Sequence, residues 1–107
     1  MLTKINIKED TFIAKIAARN LKQSKMAITI GNTIYLYNVS KQDFLSDNHW
    51  LCHELKHVQQ FQEYGYFNFI FKYLWESLQK GYYNNRFEIE ARNAKTDFEL
   101  LNKFHIN

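Results

Sequence analysis

Three glycines and no prolines punctuate this chain, and each glycine sits where the residue pattern changes. Gly31, Gly65 and Gly81 divide 107 residues into four stretches, and a chain this long supports one core, so we expect a single domain over residues 1–107. Ahead of Gly31, Lys8 to Gln23 reads as an amphipathic helix: Phe12, Ile13, Ile16, Ala17 and Leu21 recur at helical spacing, with Lys15, Arg19 and Lys22 between them. The period then changes. Ala27 to Ile30 and Thr33 to Tyr37 are β-branched and aromatic, and Gly31-Asn32 between them suits a tight hairpin. A short strand over Leu2 to Ile7 is expected to join this small antiparallel sheet.

Ser40 with Asp43, and then Asp47, offer N-caps to a long helix running to about Tyr64, closed by Gly65. Tyr66 to Lys80 has helical spacing and is dense in aromatics, and a last helix is expected from about Asn85 to Phe104. The class implied is α+β, one small sheet layered against helices.

Apolar residues make up 46% of the chain and aromatics 17%, enough for a core without disulfides. Cys52 is the only cysteine, so no internal bridge and no cysteine-rich metal site is expected. Fourteen basic against eleven acidic side chains leave +3, spread without the basic stripe of a nucleic-acid binder, so no nucleic-acid partner is expected. The first ten residues lack the apolar stretch of a signal peptide, and Phe67 to Leu78 is interrupted by Asn68, Lys72 and Glu76. A soluble, cytoplasmic protein with no transmembrane segment is the expectation.

The chemistry is concentrated in His53-Glu54-Leu55-Lys56-His57, in the middle of the long helix. Four residues is a little over one turn, so the two imidazoles project from one side, about 40° apart around the axis. Two such nitrogens can take adjacent corners of a zinc tetrahedron. Glu54 falls beside them, placed to accept a proton from a water that zinc would acidify and to pass it to a leaving amine. Leu51, Leu55 and Val58 form an apolar stripe next to the histidines, with Cys52, Lys56 and Gln59 expected on the far side. The bland alternative is two surface or capped histidines separated by one turn.

Zinc needs a third protein ligand if water is to keep the fourth position. The last helix offers Glu88 and Glu90, which point almost opposite ways, so only one can face a metal. Ala91 beside Glu88 permits close helix approach and favours Glu88; otherwise both are solvated helix charges.

The run His53 to His57, then Val58-Gln59-Gln60, then Glu88-Ile89-Glu90-Ala91, resembles the gluzincin metallopeptidases, and among them the minigluzincins, soluble single-domain counterparts of the CAAX prenyl protease core. The resemblance covers about Asp47 to Lys95 and implies a minimal zincin-like domain. His53, His57 and Glu88 would be zinc ligands, Glu54 the general base and acid, and Thr33 to Asn38 the sheet edge that pairs with an extended peptide substrate. Many members carry Asp after the Ala, where it supports a ligand histidine; here that residue is Arg92.

Several residues stay outside this pattern. His49 is about 80° around the helix from His57, a surface or capping position. Between Phe61 and Phe87 eleven of 27 residues are aromatic, which reads as core packing behind the histidine helix, with a substrate wall, a dimer face or a membrane-surface contact as the sharper alternatives. Tyr82, Tyr83 and Arg86 are candidates to stabilise an oxyanion, and His105 could reach the metal only by folding back from the chain end. The leading expectation is a zinc-dependent peptidase acting on peptide or protein substrates. The alternative is a non-catalytic or latent zinc-binding domain serving as a structural or interaction module.

Overall fold

The structure, a computed structural model, describes residues 2–107. The chain enters as a strand, β1 (Thr3–Lys8), followed by helix α1 (Phe12–Leu21). That helix begins four residues later than its periodicity suggests because Lys8 ends the strand and Asp10 takes a positive φ in the turn between them. Thr11 then ties the helix start to the sheet: its N–H and its hydroxyl both donate to the Leu36 carbonyl. Lys22, in the left-handed region, closes α1 by donating back to Ala18 and Arg19.

Strands β2 (Met26–Ile30) and β3 (Thr33–Tyr37) form the expected antiparallel hairpin, with Ile30 opposite Thr33. Its two-residue loop begins at Gly31 with φ +64°, where type II′ turns take glycine. The sheet as a whole is mixed rather than antiparallel. Its order is β2-β3-β1-β4, and β1 runs parallel to both β3 and the short β4 (Phe104–Ile106). Consequently β3 is an interior strand, and the expected substrate-pairing edge at Thr33 to Asn38 is corrected: the edge on that side is β2.

The long central helix arrives in two pieces. Ser40 caps α2 (Lys41–Ser46), and the Asp47 carboxylate then accepts from the Trp50 N–H to start α3 (Asn48–Tyr64). Helix α3 lies between the sheet on one side and the C-terminal segments on the other. This enclosure corrects the expected position of Cys52, which is fully buried beside Leu51, Leu55 and Val58 rather than on an outer face. Helix α4 (Tyr66–Asn84) is broken at Gly81, whose φ of +81° is non-helical. Helix α5 (Arg86–Asn93) is shorter than expected: two 3₁₀ turns, Ala94–Thr96 and Phe98–Asn102, follow it and lead into β4. The class is α+β, with five helices against a four-stranded sheet among the described residues. No described helix is long and apolar enough to cross a membrane.

Candidate metal centre

The two histidines and Glu88 meet between α3 and α5. His53 Nε2 lies 3.1 Å from Glu88 Oε1, and His57 Nε2 lies 3.1 Å from Glu88 Oε2. One ligand atom from each falls within 4.8 Å of the others, placing all three where they could hold a metal ion. Donors bound at about 2.0–2.1 Å around a tetrahedral ion stand roughly 3.3 Å apart, so an ion fits after a small rearrangement of these side chains. Two imidazoles and one carboxylate also match a metal of intermediate softness. Glu90 is excluded from the group; its carboxylate accepts from the Gln60 side chain and lies 3.9 Å from Lys56 Nζ.

The surroundings hold these donors in place. Gln60 is fully buried, and its amide N–H group donates to the Phe87 carbonyl and to Glu90. Its oxygen is thereby left to accept from His57 Nδ1 at 2.8 Å, which turns Nε2 toward Glu88. Buried Asn85 caps α5 through the Phe87 N–H and donates to Tyr73 O and Ser77 Oγ of α4, locking the two helices so that Glu88 faces inward. The Tyr73 hydroxyl donates to Glu88 Oε2 at 2.5 Å. Removing it in Tyr73→Phe should weaken metal affinity by about 10–100-fold without unfolding the protein. Competition with a chelating indicator measures this, and an unchanged affinity would show that Tyr73 only packs.

The electrostatics follow from burial and this network. Burial opposes the charged form of Glu88, but hydrogen bonds from His53, His57 and Tyr73 hold its carboxyl well below the usual range. Burial likewise lowers the affinity of His57 for its proton, yet the Glu88 hydrogen bond and charge outweigh it and push the imidazole up to about 9. A histidine raised from 6.5 to about 9 on folding adds stability that is fully present below pH 6.5 and is lost as pH rises through 9. We therefore expect the thermal midpoint of the metal-free protein to fall between pH 6.5 and 9, and His57→Gln to flatten that slope. A flat wild-type profile by circular dichroism would contradict the pairing.

Glu54 stands beside the group rather than in it, with Oε2 4.0 Å from His53 Nε2. Burial raises its pKa, while the Thr29 hydroxyl of β2 donates to Oε1 at 2.8 Å. All four residues open onto a cavity of about 380 Å³. Its walls are apolar: Ala17 and Leu21 from α1, Ala27 and Ile28 from β2, Ile70 and Leu74 from α4. Tyr82 lines it too, its phenol kept protonated by burial and by the charge of Glu88.

Other expectations divide. His49 is exposed and stacked on Phe98, and His105 sits in β4 opposite Lys4, so neither joins the group. Arg92 turns away, donating to the Tyr83 carbonyl and lying over its ring at 4.2 Å. Arg86 lies over Phe87. The aromatic segment is only partly core: Phe69 packs with Phe61 and Phe87, whereas Phe67, Phe71 and Trp75 face outward. Thr29 and Tyr73 were not singled out from the sequence, because each meets the site from an element distant along the chain, whereas Asn85, three residues before Glu88, acts locally as the cap of α5. Gln60 had a local signal, three residues beyond His57 on the same helix face.

Fold and site together define a small α+β domain with a His₂Glu group, able to hold a metal, in the wall of an apolar cleft. The chain belongs to the eCIS core domain family, whose model matches residues 2–65, from β1 to the end of α3. The matched stretch contains His53, Glu54 and His57; Glu88 and the α4 wall lie beyond it. Comparison with curated proteins and with solved structures finds no match.

Proposed function

We propose that this chain is a zinc-dependent peptidase of gluzincin type. The observation that carries the reading is the buried Glu54 carboxylate held beside the His53–His57–Glu88 group at the wall of an open cleft. Two imidazoles, one carboxylate and space for one more ligand suit catalytic zinc. A zinc ion held there would supply Lewis-acid polarisation of the amide carbonyl and of the attacking water.

The chain's own residues do the rest. Glu54 takes the proton of the attacking water and delivers it to the departing amine. Its burial raises its basicity toward neutrality, as a general base requires. Thr29 fixes one carboxylate oxygen and leaves the other to turn toward the reacting atoms. Among the three oxyanion candidates Tyr82 is favoured, since it lines the cavity while Tyr83 does not and Arg86 is stacked on Phe87. The β2 backbone, at the sheet edge beside the cavity, is suited to pair with an extended peptide.

The test is hydrolysis of an unstructured protein substrate by zinc-reloaded, dialysed protein. Cleavage that chelation abolishes and zinc restores supports a peptidase. One retained zinc per chain without cleavage would leave a non-catalytic zinc-binding domain.

A further inference from the structure

Among the described residues, nothing packs on the outer face of α4. Phe67, Phe71, Leu74, Trp75 and Leu78 recur at helical spacing, fall within about 100° of arc, and are each 58–77% exposed. Five such side chains present roughly 500–700 Å² of apolar surface, at or above the largest patch of an ordinary monomer. Leu74 also lines the cavity, so the stripe runs into the mouth of the cleft. On α1, which lines the same cavity, Phe12, Ile13 and Ile16 are exposed as well.

Charge selects the occupant. The two helices that carry this face, α1 and α4, hold four basic side chains, Lys15, Arg19, Lys72 and Lys80, and one acidic one, Glu76, which pairs with Lys80. With the whole chain at +3, this surplus of three leaves the rest of the chain neutral. A two-fold dimer through this surface would set cation against cation. An apolar, tryptophan-bearing helix face among lysines and arginines is instead the pattern of a helix lying in a lipid headgroup layer.

We propose that α4, with the exposed end of α1, docks this domain on anionic bilayer surfaces. Phe67, Phe71, Trp75 and Leu78 enter the acyl boundary, while Lys15, Arg19 and Lys72 meet lipid phosphates. The proposal needs neither the metal nor peptidase activity.

Flotation with phosphatidylcholine vesicles, with and without 30 mol% phosphatidylglycerol, tests it. We expect at least tenfold stronger partitioning onto the anionic vesicles, weakened by high salt. Phe71→Ser/Trp75→Ser should reduce that binding at least tenfold, and Lys15→Glu/Arg19→Glu should remove the preference for anionic lipid. These side chains are exposed, so an unchanged thermal midpoint will show that the variants fold. Absence of binding to either vesicle would overturn the proposal, as would binding indifferent to both variants. Light scattering that shows a dimer dissolved by Phe71→Ser/Trp75→Ser would assign the face to a second copy instead.

Discussion

Glu54→Gln should retain one metal ion per chain and lose hydrolysis by about a thousandfold, within the usual range for removing a general base. The substitution keeps the shape of the side chain and its acceptance of the Thr29 hydroxyl, so the cleft stays intact. It removes the one carboxylate beside the group that is not itself among the ligand donors. Metal analysis and turnover measured on the same preparation separate the roles. Full turnover in the variant would dismiss Glu54 as the base, whereas loss of metal would show that it is a ligand.

Glu88→Ala is the second large effect, and it acts on binding and folding together. Glu88 is the shared partner of His53, His57 and Tyr73, and it is almost wholly buried. Removing it takes away one of the three candidate metal donors and leaves His57 buried without its closest counter-charge. Breaking such a buried pair costs about 3–5 kcal/mol, and we expect a loss near the lower end because neutral His57 keeps its bond to Gln60. Denaturant titration of the metal-free variant measures the stability, and the chelating-indicator competition measures the affinity. A variant as stable as wild type that still binds metal would remove Glu88 from the site.

Much of this site was legible because its signals are local. The spacing of His53 and His57 is a property of one helix, as are the cap at Asp47 and the closure at Gly65. The opposite directions of Glu88 and Glu90 showed that only one could face a metal and Ala91 leaned toward Glu88, while the packing of α5 on α3 brings Glu88 to the histidines. The hairpin was legible for the same reason, since Gly31-Asn32 and its flanking strands are contiguous.

What escaped was set by distant contacts. Phe104 to Ile106 is too short to show a period and becomes a strand only by pairing with Thr3 to Ile5 at the other end of the chain. That pairing ends the C-terminal helical reading early. The parallel match of β1 with β3 likewise places β3 inside the sheet and makes β2 the edge. Cys52 looked like an outer residue only while α3 was imagined with one buried face; the 3₁₀ turns cover a second. The α4 aromatics could not be sorted by periodicity alone, since Phe69 and Phe71 differ only in which side of the helix the rest of the fold reaches.

The central claim is that His53, His57 and Glu88 form a metal centre, and zinc content tests it most directly. Protein reloaded with zinc and dialysed should retain about one ion per chain by elemental analysis, and His57→Ala prepared identically should retain almost none. Wild-type protein that retains no zinc, or a His57→Ala variant that retains as much as wild type, would contradict the account.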